Sequence, residues 1–221
     1  GNLAQSVQRQ MGSATPEGKQ ELSGVFEAFL QELGSGSAEV GVLNWVAETF
    51  ASLGAGFDDG QQVANPDASR YYRRSIEAFE NLLNQPTLSA ELTTQIRSRL
   101  AEVKADNRVF AGALADLNAI LATEPNAINL QMLAARLLQR WAATDASKFD
   151  EAIAGKDDVI WGWGKIVSTT MRYKQFRDEF YEARYEMAQC QMGHAMSVQA
   201  GERVKLLAEA QRTLQMTKTL Y

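Results

Sequence analysis

The sequence predicts an all-α protein, and three observations support this prediction. Apolar residues recur at intervals of three and four along most of the chain, which is the periodicity of amphipathic helices. No segment shows sustained two-residue alternation, so little or no strand is expected. Proline occurs at only four of the 221 positions, and most of the prolines fall near predicted helix edges.

Two helices are predicted before residue 54. Thr15-Pro16 is an N-cap residue followed by proline at the first helical position, and the apolar stripe that begins there runs to Leu33. The Gly-Ser run at 34–37 interrupts the chain, and a second stripe extends from Val40 to Leu53. We therefore expect an N-terminal helical extension over 1–36 and a main domain over 37–221.

The main domain is predicted to be a succession of helices joined mostly by short turns. Insertions without helical periodicity are expected near 55–66 and 143–157, where Gly, Asp and other turn-forming residues gather. Short turns make successive helices antiparallel, so the helices should pair as hairpins. The predicted helices after the first insertion span about 67–84, 89–104, 108–123, 127–142, 158–171, 174–194 and 201–220.

Small and apolar residues between 100 and 125 follow the spacing of a helical repeat. In this stretch Leu100, Ala101, Phe110, Ala113, Leu117, Ile120 and Pro125 stand at the packing positions of a helix pair of about 34 residues. The stretch resembles the tetratricopeptide repeat (TPR) family. Arg97, Ala101 and Arg108 replace the tryptophan and glycines of that family. The resemblance implies a right-handed α–α superhelix, or solenoid, whose concave groove is lined by the first helix of each pair.

Other parts of the chain resemble the repeat less closely. Ala134, Ala135 and Leu138 open a second repeat in phase, but Phe149 and Ala152 arrive late, which indicates an insertion. The sequence Trp-Gly-Trp-Gly-Lys at 161–165 and the aromatic helix after it resemble the late part of large bacterial TPR proteins. That resemblance implies that the chain is a segment of a longer polypeptide.

Composition argues against several functions. A net charge of −5 disfavours a nucleic-acid partner, and no apolar run approaches the roughly 20 residues of a membrane span. A single cysteine and a single histidine make a nucleophilic triad improbable, and no phosphate-binding glycine loop occurs. Cys190 and His194 share a helix face, yet two ligands do not make a metal site. We expect no enzyme activity, cofactor or metal, and the compartment stays open between the cytoplasm and an exported location.

The predicted groove carries the leading hypothesis for function, a non-enzymatic module that binds a peptide or helix of a partner protein. Polar and arginine side chains at one-turn spacing suit an extended peptide, although they also suit a solvated face. We expect the face to be hydrated in the absence of a partner. The groove residues predicted from the repeat register are Gln95, Ser98, Glu102, Asn129, Met132, Arg136, Gln139 and Arg140.

Two alternatives stay open at the level of sequence. The chain could be a structural segment that associates with copies of itself through exposed repeat ends. It could also bind a small molecule or carbohydrate on an aromatic patch formed by Trp161, Trp163 and Lys165. A simpler interpretation of this patch is close helix packing beneath the second insertion. In a helical segment Ile160 and Trp163 would share one stripe, with Trp161 pointing elsewhere.

Overall fold

The computed structural model describes residues 15, 18, 24, 27–33, 39–63 and 65–219. The described residues are mostly helical, which confirms the all-α class. The chain divides between Asp116 and Leu117 into two compact units. Most of the predicted N-terminal extension lies outside the described residues, among which 27–33 are helical.

The first unit contains an antiparallel hairpin followed by a third helix. Its helices are α1 (Val40–Phe57), α2 (Pro66–Leu83) and α3 (Ala90–Asp106), and α4 (Phe110–Leu121) begins within it. Asn65 caps α2 by accepting a hydrogen bond from the backbone N–H of Asp67, and Pro66 occupies the first helical position. The predicted helix bounds agree with these to within a few residues, and the loop between α1 and α2 is shorter than the predicted insertion.

Close approach between α1 and α2 depends on small side chains. Ala47 is fully buried, and its carbonyl oxygen accepts a 2.7 Å hydrogen bond from the buried Ser75 hydroxyl. A Cβ atom at Gly54 would lie only 2.6 Å from the ring of Tyr72, so any larger residue would push the two helices apart. Phe79 and Leu100 are among the side chains that complete the core, each contributing roughly 1.5–3 kcal/mol by burial.

Arg108 ties the α1–α2 loop to the end of α3. Its guanidinium donates two 2.9 Å hydrogen bonds to the carboxylate of Asp58, and a third of 2.8 Å to the carbonyl oxygen of Gln61. Arg108 itself has φ 63°, a left-handed conformation that costs a non-glycine residue about 1 kcal/mol or more. The tyrosine hydroxyl of Tyr72 donates to the same carboxylate. The guanidinium hydrogen bonds hold the pKa of Asp58 below its usual range.

The second unit is built around α5 (Ile128–Trp141) and a long terminal hairpin. After α5 come α6 (Lys148–Ala154), strands β1 (Gly155–Lys156) and β2 (Ile160–Trp161), and α7 (Trp163–Thr170). A short 3-10 turn over Lys174–Phe176 leads into α8 (Arg177–Ser197), and α9 (Ala200–Thr219) packs against α8. The strands are antiparallel, with Gly155 opposite Trp161 and Lys156 opposite Ile160.

Two features of the second unit differ from the sequence-based expectation. The predicted insertion at 143–157 contains a helix, α6, whose Ala152 is fully buried. The helix predicted from 158 begins at Trp163, because Ile160 and Trp161 are drawn into the β-hairpin. The pair of two-residue strands agrees with the expectation of little or no strand.

We predict that Arg108→Gln lowers the free energy of unfolding by about 1–3 kcal/mol at neutral pH, because it leaves the half-buried Asp58 carboxylate without its ionic partner. Chemical denaturation should measure the loss. Since the folded pKa of Asp58 is depressed, this stabilisation is complete above the unfolded pKa of about 3.9 and is lost as the pH falls through the folded value. The difference between wild type and variant should therefore shrink in strong acid.

The matched control is Arg73→Gln, at an exposed position on α2. It should change stability by no more than about 0.5 kcal/mol. Equal losses in the two variants would contradict a stabilising role for Arg108.

Candidate functional site

The Trp161 and Trp163 side chains lie inside the second unit. Trp163 is fully buried, and its indole N–H donates a 2.8 Å hydrogen bond to the side-chain oxygen of Gln139. Trp161 is only 7% exposed, with the Lys165 ammonium 4.6 Å from its ring centroid. The predicted aromatic patch is therefore not an open wall, because both rings are packed into the interior.

The glycines beside the tryptophans allow backbone segments to approach each other. A Cβ atom at Gly162 would lie 2.3 Å from the carbonyl oxygen of Ile153, a distance that no side chain tolerates. Gly155 has φ 103°, a conformation that favours glycine, and a Cβ there would meet the carbonyl oxygen of Ile160. This close packing explains why glycine alternates with tryptophan in the sequence.

Gln131 joins α5 to the β-hairpin through its buried side chain. Its amide nitrogen donates 2.9 Å hydrogen bonds to the carbonyl oxygens of Pro125 and Val159, and its oxygen accepts a 2.7 Å bond from the backbone N–H of Trp161. Three backbone groups thus obtain partners in the interior from one side chain. This role of Gln131 was not predicted from the sequence, since one glutamine within an amphipathic helix carries no distinguishing signal.

Residues of α5 that were predicted to line the groove instead face α8. Met132 is only 2% exposed, and Arg136 forms an ion pair with Glu182 on α8. The amide nitrogen of Gln139 donates a 3.0 Å hydrogen bond to Glu186, also on α8. The expectation of a hydrated face is therefore corrected at Met132, which is buried, whereas the Arg136–Glu182 pair is exposed and the Gln139 bond is partly buried against α8.

The remaining groove residues are divided between α5 and the first unit. Asn129 and Arg140 are exposed on α5, and Gln95 is exposed on α3. Ser98 donates its hydroxyl hydrogen to the carbonyl oxygen of Thr94, and Glu102 accepts a 2.8 Å bond from Arg99. Gln95, Ser98 and Glu102 belong to the first unit and the other five residues to the second. A groove formed by both sets stays a prediction.

Cys190 and His194 are packed in the interior of the second unit. The thiol is fully buried 3.8 Å from the carbonyl oxygen of Phe149, and burial raises its pKa to about 12. The His194 ring stacks on Phe149, and its Nδ1 lies 3.5 Å from a carboxylate oxygen of Asp150. Within the described parts of the chain, no group of three or more His, Cys, Asp or Glu side chains is placed to hold a metal ion.

The α8–α9 hairpin is held together along one face of each helix. The Arg184 guanidinium donates 2.6–2.7 Å bonds to the Thr213 carbonyl and the Thr217 hydroxyl, and Thr213 also donates to the Gln191 side chain. At the other end of the hairpin, Arg203 donates to the carbonyl oxygen of Ala195. Early residues of α8 thus meet late residues of α9, which makes the two helices antiparallel.

One side of this hairpin carries exposed apolar side chains on both of its helices. On each helix, the residue that follows a contact residue is turned by about 100° around the helix axis. Because the two helices are antiparallel, these following residues lie on the same side of the hairpin. We call the surface that results the outer face. It consists of Tyr185, Gln189, Met192 and Met196 on α8, with Val204, Leu207, Gln211 and Leu214 on α9.

The outer face differs from an ordinary helix surface in its lack of charge. Its six apolar and aromatic members are between 41% and 74% exposed, and its two polar members are glutamines. The amide of Gln189 donates to the Tyr185 hydroxyl, so part of its polarity is already satisfied. Single exposed apolar residues are common, but a contiguous uncharged group on two neighbouring helices is typical of an interaction surface. The sequence signal for it was the spacing of Val204, Leu207 and Leu214.

In comparisons with known proteins, no family model, no curated protein and no solved structure matches this chain. Among the helices that the structure describes, none has the combination of length and hydropathy that crossing a membrane requires. The assignment of function therefore rests on the surfaces described above.

We predict that Gln131→Leu destabilises the protein by at least about 2 kcal/mol, because it strips hydrogen bonds from three backbone groups at once. Denaturant unfolding followed by tryptophan fluorescence should show the loss, since Trp161 lies beside the broken contact. The control Gln215→Leu makes the same chemical change at an exposed position of α9 in the same unit. Equal stability of the two variants would mean that Gln131 does not hold the hairpin in place.

Proposed function

We propose that this chain is a non-enzymatic protein-interaction module built of TPR-like helical hairpins. The observation that carries the proposal is the outer face, an uncharged apolar surface that spans both helices of the terminal hairpin. Helical-repeat proteins bury such a surface against the next helix pair, because one hairpin cannot cover its own apolar side. The function proposed for the outer face is therefore to receive a second helical hairpin.

The proposed relation to the TPR family is supported by the packing of the residues that suggested it. Ala101 and Ala113 are fully buried, as the small residues of a helix crossing should be. Arg108 stands at one of the family's glycine positions and adopts the left-handed backbone conformation for which glycine is normally selected. These observations favour a solenoid of hairpins as the finer description of the fold.

The occupant that we propose for the outer face is the same face of a second copy of this chain. Two identical surfaces can meet about a twofold axis only where like charges do not oppose each other, and the eight residues of the outer face include none. The apolar residues on α8 extend from Tyr185 to Met196, about 16 Å along the helix. A surface of this length and only two helices wide is small for a permanent dimer, so the association should be weak and depend on concentration.

The outer face is a different binding surface from the predicted peptide groove. The predicted groove includes Arg136, Gln139 and Met132 of α5. Arg136 and Gln139 already bond to side chains of α8, and Met132 is buried. By contrast, Met196 and Val204 are 74% and 68% exposed, and no described element of the second unit covers them. Peptide capture on α5 thus has less support than hairpin pairing on the outer face.

We predict that light scattering shows a mass above that of one chain, rising with protein concentration, and that Leu207→Glu returns it to one chain. A carboxylate in the centre of the paired faces would have to be desolvated without a partner. The control is Met216→Glu, on the opposite side of α9, where a residue of similar exposure receives the same charge. A single-chain mass for the wild type at every concentration would refute self-association, and equal effects of the two variants would place the contact elsewhere.

A further inference from the structure

Another region of the second unit combines a cavity with basic and aromatic side chains. The cavity lies where α7 ends, the 3-10 turn passes and α8 begins, and its volume is about 730 Å³. Small-molecule sites in proteins commonly measure about 300–1,000 Å³. Its lining includes Arg172, Lys174, Arg177, Tyr173, Phe180 and Tyr181.

The charged groups that line the cavity are all positive. Arg172, Lys174 and Arg177 are exposed, and no carboxylate is among the described residues that line the cavity. Within the described residues, neither Arg172 nor Lys174 has a carboxylate at ion-pair distance, although the chain as a whole carries a net charge of −5. Neighbouring cations repel one another, and a bound anion would relieve that repulsion.

The start of α8 adds to the attraction for an anion. This helix of 21 residues begins at Arg177, and Phe176, at the N-cap position, offers no side-chain hydrogen bond. The positive end of the helix dipole therefore lies at the cavity. Asp178 and Glu179 in the first turn offset part of this field, but neither lines the cavity.

The aromatic side chains provide a surface suited to a flat ring. Tyr173 is 53% exposed and meets Phe176 edge to face, with the ring planes at 85°, rather than in a stack. Phe180 is 6% exposed and contacts Tyr181 at a ring-centroid distance of 5.2 Å. The Arg177 guanidinium lies 5.7 Å from the Tyr181 ring centroid, so charge and aromatic surface are adjacent within one site.

We propose that this cavity binds a small anion that carries a planar aromatic ring, of the chemical class of nucleoside phosphates. The anionic group would lie between Arg172, Lys174 and the start of α8, where guanidinium and ammonium groups donate charge-assisted hydrogen bonds to it. The ring would stack against exposed tyrosine, as bases do on aromatic side chains. The volume suits one such molecule, which favours a mononucleotide-sized ligand over an extended strand.

The proposal is tested by isothermal titration of the full chain with adenosine diphosphate, adenosine and inorganic phosphate. Adenosine diphosphate should bind at least about tenfold more tightly than either part alone, because only the whole molecule uses both the cations and the aromatic surface. Added salt should weaken its binding. Absence of binding by adenosine diphosphate, or equal binding of inorganic phosphate, would overturn the proposal.

Paired variants locate the site. Arg172→Gln with Lys174→Gln should weaken binding of adenosine diphosphate by about tenfold or more, since both cations are removed while both positions are exposed and tolerate glutamine. The control, Lys205→Gln with Arg212→Gln, removes the same charge from exposed positions on α9 of the same unit. Circular dichroism confirms that both proteins are folded. Equal loss in both would show a general charge effect and refute the site.

An oligothymidylate titrated in parallel distinguishes a small ligand from a single strand of nucleic acid. The proposal requires that adenosine diphosphate binds with the higher affinity per site. Tighter binding of the oligonucleotide, lost in the Arg172 and Lys174 variant, would assign the surface to single-stranded nucleic acid and overturn the proposal as stated.

Discussion

Close approach of helices at small side chains is the constraint on which the structure of each unit depends. The Ser75 hydroxyl reaches the carbonyl oxygen of Ala47 because both side chains are small enough for the two helices to approach closely. In the second unit, a Cβ atom at Gly193 would come within 2.8 Å of the Phe149 ring, so glycine at that position lets α8 pack closely against this ring. Close packing of the apolar stripes then fixes how the helices cross, because larger side chains at these points would force a different crossing.

The sequence predicted the helices well where this constraint and helical periodicity act together. The alternation of apolar stripes with Pro and Gly set the bounds of α2 to α5 to within a few residues, and Ala101 and Ala113 proved to be buried as the repeat spacing required. It failed at 143–161, where the helix α6 and the β-hairpin are stabilised by contacts distant in sequence. Gln131, 30 residues before Trp161, provides one of those contacts, and no local pattern reveals such a pairing.

The candidate site was harder to predict than the fold for the same physical reason. Arginine and glutamine on a helix suggest a hydrated face, yet Arg136 and Gln139 find their partners on α8, more than 40 residues later. Tryptophan suggests a binding wall, yet Trp163 is fully buried and its single polar group bonds to Gln139. The chemistry of a side chain determines which groups it can bond to, whereas tertiary packing determines whether those partners are already present within the chain.

Side chains that already have partners within the chain are not available to bind another molecule. The surfaces that remain for binding are those where the described side chains make few contacts within the chain. The interior of the second unit uses its glutamines, its tryptophans and the guanidinium of Arg184 to join one element to another. Two surfaces of the described residues differ from this interior. The outer face exposes uncharged apolar side chains, and at the cavity near the start of α8 Arg172 and Lys174 lack ion pairs. Apolar surface favours burial and unpaired cations favour an anion. The two surfaces therefore call for different occupants, and a hairpin held by internal bonds can present both without rearranging.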